Sequence, residues 1–179
     1  GGGGGGRVIA IEPNPISLKQ LRRNIVLNGL QETVTVVESA ASDVPGDMWL
    51  NLHDSQSAIT AKAAPGRARV AVRTLADILQ TESIRSVDVL MIDVEGAELN
   101  VLRGFPWEKV PVGMLLCELH PNDWGAFGYG DAEFAAFLKS KGCVAIDAYW
   151  RILQDRFGAS YIGPARIVPT NGRGFETRA

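Results

Sequence analysis

Cysteine and histidine are scarce, with two of each in 179 residues. Cys117 and Cys143 both sit inside apolar runs, so they read as reduced core residues of a cytoplasmic protein rather than as a disulfide scaffold. The same scarcity argues against a zinc centre. Cys117-x-x-His120 has half of the usual spacing, and Cys143 and His53 supply no second half. An oxygen site for magnesium at Asp93, Glu95 or Glu118 stays open, but no loop motif supports it, and the expected metal is none. No apolar run approaches the roughly 20 residues that cross a bilayer, so no membrane partner is expected. There is no signal-peptide pattern at the N-terminus. Excess positive charge is missing too: the net charge is -2, which gives no general reason to expect nucleic acid.

What is present is ordinary for a soluble globular chain, at 46% hydrophobic and 21% charged residues. The length suits one domain with a sizeable core. Glycine is the exception to this plainness, because six of the 20 glycines form the run Gly1–Gly6. Residues 1–6 read as a low-complexity lead-in or a cut boundary, 7–170 as the domain, and 171–179 as a fraying tail.

Along the domain, strand-like and helix-like segments alternate. Arg7 to Glu12 is a short β-branched run ending in an acid. Asn14 can cap a helix whose first residue is Pro15. Leu18, Leu21 and Ile25 then recur at helical spacing, and Asn28-Gly29 supplies the stop. Val34–Glu38 predicts a second strand. Short strands are expected at Asp47–Leu52 and Arg69–Val72, and a helix is expected to open at Thr74-x-x-Asp77. Ala97–Arg103 predicts a short helix closed by Gly104, and Val112–Glu118 another apolar strand. Asn122–Gly130, rich in glycine and aromatics, reads as a loop over the site. A helix capped by Asp131 follows, with Phe134, Phe137 and Leu138 on its core face. Strands at Cys143–Ala148 and within Tyr161–Pro169 complete the series. Such alternation predicts an α/β, doubly wound, mostly parallel sheet with helices on both faces.

The richest stretch is Val87 to Glu98, where a continuous apolar run stops at Asp93, Glu95 and Glu98. A buried parallel strand delivers acids to the mouth of an α/β sheet in this way. If the strand ends near Val94, alternation puts Asp93 and Glu95 on one side. Asp93 has the best claim to function, since a carboxylate after the four apolar residues Val89–Ile92 is costly to place without a partner. It could meet a ligand ammonium, orient a hydroxyl or ligate a cation. Glu98 would lie in the first turn of the next helix, where the dipole favours an anion, and reads as structural. Glu118 and His120 end the neighbouring strand, with spacing that aims both at one cleft, and histidine is the usual base near neutral pH. Against this stands the commoner case of a structural histidine. Glu12, at a strand end after glycines, is placed to accept two ribose hydroxyls, although a solvated carboxylate accounts for it equally well. Trp49, Trp107, Trp124 and Trp150 read as core or lid residues rather than a stacking platform. Among them Trp124, beside His120, is the one candidate for a substrate wall.

Together these segments resemble the FkbM family of S-adenosylmethionine-dependent methyltransferases. Val8-Ile-Ala-Ile-Glu-Pro-Asn-Pro15 and Asn24-Ile-Val-Leu-Asn-Gly29 look like that family's second strand and following helix. Ser39-Ala-Ala-Ser-Asp43 resembles the segment after its third strand. Asp88-Val-Leu-Met-Ile-Asp-Val-Glu-Gly-Ala-Glu98 with Val101-Leu-Arg-Gly104 is the most specific signature, and Glu118-Leu-His120 fits the next strand end. The resemblance implies a class I methyltransferase (Rossmann-like) fold and S-adenosylmethionine as cofactor. It implies Glu12 on the cofactor ribose, Ser39 and Ala40 near the adenine, and Asp93 by the methionine end. The implied reaction is O-methylation of a hydroxyl on a sugar or secondary metabolite. His120 is the first choice of base, and Asp93 and Glu95 are its rivals.

The family pattern begins with a strand, a Gly-rich loop and a helix ahead of the strand at Arg7, where this sequence has Gly1–Gly6. The expectation is therefore an incomplete domain that binds cofactor weakly by itself. The alternatives are a non-catalytic remnant or binding module of the same fold and, ranked last, a nicotinamide-dependent oxidoreductase that uses Glu12 on its own ribose.

Overall fold

The computed structural model describes residues 6–52, 59–60, 64–146 and 163–170. The expectations for His53, Trp150, the first glycines, the end of the ninth strand and the tail lie outside these residues. The chain divides into two compact units, Gly1–Thr74 and Leu75–Ala179.

The N-terminal unit opens with a β-α-β element. Strand β1 (Val8–Ile11) and strand β2 (Val34–Val37) pair in parallel, Val8 opposite Val34 and Ile11 opposite Val37, and helix α1 (Pro15–Leu27) connects them. The start of α1 follows the sequence: Asn14 Oδ1 accepts the Ile16 N–H at 2.9 Å, and Pro15 sits where no amide donor is needed. Gly29, at φ +65°, ends it. Leu18 and Ile25 are its buried face. A second, mixed sheet follows, in the order β3 (Ala40–Ala41), β6 (Arg67–Arg73), β4 (Gly46–Asn51), β5 (Ile59–Thr60). Strand β6 is parallel to β3 and antiparallel to β4, so residues 46–73 make a hairpin excursion.

The C-terminal unit holds one four-stranded sheet in the order β7 (Val87–Ile92), β8 (Val112–Leu119), β10 (Gly163–Pro169), β9 (Cys143–Ile146). Strands β7 and β8 are parallel, and β10 runs antiparallel to both of its neighbours. Helices α2 (Leu75–Thr81), α3 (Glu98–Arg103) and α4 (Asp131–Ser140) lie between strands in the chain; α3 packs on β8 and α4 on β9. The core of this unit includes Leu99, Leu102, Leu115, Leu119, Phe134 and Leu138, all fully buried.

The α/β class expected from the alternation holds, but the sheets are several and mixed where a doubly wound, mostly parallel sheet was expected. The reason is local in both units. The β4–β5 hairpin returns on itself, and β10 comes back between β8 and β9, so neither fits a purely parallel order. Strand β7 is also an outer strand of its sheet, and Val89 and Met91 on it are exposed, where the apolar run had suggested burial on both faces.

One glycine fixes the β7–β8 approach. A Cβ at Gly113 would stand 2.7 Å from the Asp88 carbonyl oxygen, a backbone atom that cannot step aside. Gly113→Ala should therefore lower the unfolding free energy by about 1–3 kcal/mol in urea titrations. Gly46→Ala, where nothing lies within 4 Å, should change it far less. Equal effects would refute the close-approach argument.

Candidate active site

The acids of the opening motif sit on a sharp turn between β7 and α3. Strand β7 stops at Ile92, before Asp93, so strand alternation does not set where Asp93 and Glu95 point. Glu95 has φ 49° and Gly96 has φ 102°. The left-handed conformation is unusual for glutamate and routine for glycine. Glycine is also required at 96 for space, because a Cβ there would meet the Asp123 Cβ at 2.6 Å. This turn carries Glu95 back towards the tip of β8, where its Oε2 lies 3.4 Å from His120 Nε2.

Beneath the turn lies Glu98, fully buried at the start of α3. Its Oε1 accepts the Gly96 N–H at 3.1 Å and lies 2.8 Å from His120 Nδ1. Its Oε2 accepts the Trp124 indole N–H at 2.8 Å and approaches the Tyr129 hydroxyl at 3.2 Å. The Tyr129 hydroxyl donates its single proton to the Gly96 carbonyl at 2.6 Å and accepts the Leu99 N–H at 3.1 Å. One carboxylate thus ties together the turn after β7, the end of β8 and the loop before α4. The structural reading of Glu98 holds, but its role is far larger than a charge at a helix end.

His120 is correspondingly fixed. With Glu98 accepting from Nδ1, its Nε2 faces Glu95 and, at 3.9 Å, Glu118 Oε1. Burial by itself would lower the imidazole. The hydrogen bond to Glu98 and the charges of Glu95, Glu98 and Asp93 outweigh burial and hold His120 above its ordinary value. Glu95 is also raised: burial contributes most, His120 opposes it, and Asp93, Asp123 and Glu118 add like-charge repulsion. Asp93 is exposed and Glu118 half-buried, and one ligand atom from each of Asp93, Glu118 and His120 lies within 4.8 Å of the others. Among the described residues, this is the set whose ligand atoms lie close enough together to suit a cation.

Two expectations change here. Trp124 is no substrate wall: it is fully buried, bonded to Glu98 and stacked on Phe134 with ring centroids 4.6 Å apart. The stretch read as a loop over the site is anchored instead by Trp124 and Tyr129, with a single 3-10 turn at Trp124–Phe127. The cysteines are buried and free as expected, and burial pushes the Cys143 thiol up to about 11 and Cys117 well above its usual value, so neither is a reactive thiolate.

In the N-terminal unit, β1 and β2 end side by side. The Glu12 and Ser39 amides both donate to the Val37 carbonyl, each at 3.1 Å. Glu12 Oε1 accepts the Asn14 N–H at 2.7 Å, so one oxygen shapes the turn while the other has all its acceptor capacity left for a ligand hydroxyl. Ser39 is buried, and its hydroxyl has no hydrogen-bond partner among the described residues. Ala40 is buried next to it on β3. An unsatisfied buried hydroxyl beside a half-used carboxylate fits a ligand rich in hydroxyls and ring nitrogens. Two groupings result: Glu12, Ser39 and Ala40 in one unit, and Asp93, Glu95 and His120 in the other.

Removing the Glu98 carboxylate should be costly. Glu98→Ala leaves the Gly96 and Trp124 donors and the His120 ring without their acceptor, and should lower stability by about 3 kcal/mol or more. Glu38→Gln, which loses only an exposed ion pair with Arg22, should change it by less than about 1 kcal/mol. Urea unfolding of both variants checks the contrast, and a mild effect at Glu98 would contradict the anchoring role.

The methyltransferase FkbM domain family model matches residues 2–144, which include both groupings. Searches of curated proteins and of solved structures give no significant match. With the family match running over most of the sequence, and the strand-end acids of the central motif gathered with His120, the chain belongs to the methyltransferase FkbM domain family.

Proposed function

We propose that this domain transfers a methyl group from S-adenosylmethionine to a hydroxyl of a sugar or secondary metabolite. The observation that carries the reading is the family match over residues 2–144. The convergence of Asp93, Glu95 and His120 on the tips of β7 and β8 supports it. The donor supplies a methyl carbon on a positively charged sulfur, ready for in-line displacement.

The residues divide the remaining work. Glu12 receives a ribose hydroxyl on the oxygen that Asn14 does not use, and the Ser39 hydroxyl and Ala40 border the adenine. Asp93, exposed and without a hydrogen bond among the described residues, lies at the methionine end, beside the incoming acceptor. Alignment of the two reactants provides most of the acceleration in such a transfer. The acceptor proton must also leave as the carbon–oxygen bond forms and the carbon–sulfur bond breaks. His120 is poorly placed to take it, since its side chain is only 6% exposed and its Nδ1 is held by Glu98. The Glu95 side chain is 35% exposed and adjoins Nε2, so Glu95 takes the proton and His120 positions it.

Calorimetric titration with S-adenosylmethionine should show Glu12→Ala binding about tenfold more weakly, the loss of one charge-assisted hydrogen bond. Unchanged affinity would eliminate the ribose assignment. Transfer of a labelled methyl group to a panel of sugar hydroxyls should disappear in Asp93→Ala. It should fall at least about a hundredfold in Glu95→Gln, the range for a lost general base. Full turnover in Glu95→Gln would return the base role to another group.

A further inference from the structure

The tips of β7 and β8 concentrate negative charge around one buried nitrogen. His120 is 5% exposed, and its Nε2 points at Glu95 Oε2 at 3.4 Å and Glu118 Oε1 at 3.9 Å. Neither contact is a hydrogen bond, whereas Nδ1 lies 2.8 Å from Glu98. In a neutral ring whose Nδ1–H is given to Glu98, Nε2 presents a lone pair. That lone pair faces carboxylates, an arrangement with no attraction in it unless a positive charge lies between them. Among the described residues of this unit, no lysine or arginine forms an ion pair with Asp93, Glu95 or Glu118. Protonating His120 would not balance the site either, because its single charge is already matched by buried Glu98.

We propose that Asp93, Glu118 and His120 form a binding site for a divalent first-row cation, with Mn2+ the best match, and that this cation holds the acceptor hydroxyl. One ligand atom from each of the three residues lies within 4.8 Å of the others. Ligands about 2.1 Å from one ion stand no more than about 4.2 Å apart, so small rotations of Asp93 and Glu118 close the set. Both can move, being exposed and half-buried, while His120 cannot. One imidazole and two carboxylates, with the remaining positions open to water or hydroxyl oxygens, suit Mn2+ better than a thiolate-preferring ion. Glu98 on Nδ1 is the carboxylate–histidine support that fixes the tautomer and raises the donor strength of Nε2.

The site's part in the reaction rests on the methyl-transfer reading, whereas its affinity for the cation does not. A hydroxyl bound to a divalent cation is more acidic, so its proton passes to the adjacent Glu95 carboxylate. The oxygen then forms its bond to the methyl carbon as the carbon–sulfur bond breaks, and that electron pair stays on sulfur.

The test is a titration of the full chain with Mn2+, following the electron paramagnetic resonance signal of the free ion. One saturable site is expected. Its affinity should fall at least about tenfold in Asp93→Asn and in Glu118→Gln, and should be unchanged in Glu38→Gln. Absence of saturable binding at millimolar Mn2+, or affinity in both site variants equal to that of the unsubstituted chain, overturns the proposal. Labelled-methyl transfer measured with a chelator and with Mn2+ restored separates the two readings. Transfer that continues in chelator while Mn2+ fails to bind removes the cation site and leaves the methyltransferase. Binding as stated with no transfer to any hydroxyl removes the methyl-transfer reading and leaves the site.

Discussion

The C-terminal unit depends on the buried carboxylate of Glu98. A charge removed from water costs several kcal/mol unless donors replace the water. Glu98 meets that requirement with the Gly96 amide, the Trp124 indole and the His120 ring. Each of these comes from a different segment, so satisfying one side chain fixes a turn, a strand end and a loop at once. A half-satisfied network of this kind would be worse than an apolar core. The same requirement explains why Tyr129 is buried with its hydroxyl on the Gly96 carbonyl and the Leu99 amide: it closes the backbone groups that the turn would otherwise strand.

From this anchor the chemistry of the site follows. Glu98 sets the orientation of His120, and with it which ring nitrogen faces Glu95 and Glu118. Gly96 allows the chain to turn so sharply that Glu95 folds back to that nitrogen instead of continuing the strand. A dense set of like charges results, with Asp93, Glu95 and Glu118 around one imidazole. Such a cluster favours whatever is positive, whether a proton, a cation or the charge that develops as an acceptor loses its hydrogen. The proton transfer proposed at Glu95 and the cation binding proposed at Asp93, Glu118 and His120 would both draw on this field.

Much of this was legible without coordinates, and the reasons differ by element. Helix α1 announced itself through Asn14, Pro15 and Gly29, because capping is a local hydrogen-bond requirement. Strands β7 and β8 showed as apolar runs, and their acidic ends marked the site. Glu98 was seen but undervalued, since a first-turn acid has a sufficient local explanation in the helix dipole. The better clue was its place among Ala97, Leu99, Val101 and Leu102, which puts it on the buried side of a short helix. Trp124 takes the core position expected of the tryptophans rather than the substrate-wall role that adjacency to His120 suggested, because its indole N–H is needed below by Glu98. Glu12 also shapes its own turn, because one of its oxygens accepts the Asn14 N–H, a contact two residues away that spacing does not reveal.

By itself, the sequence determined the local periodicities, the caps, the family and the identity of the acids at the strand ends. Each of these follows from interactions within a few residues, or from a motif that survives as a string. Tertiary structure alone decided the order of the strands, the return of β10 between β8 and β9, and the partners of Glu98. Those outcomes depend on groups some 20 to 50 residues apart meeting in a low-dielectric interior, where an unmet donor or charge is too costly to leave. The sequence names the carboxylates; only the fold says which is buried as an anchor and which stay accessible around His120.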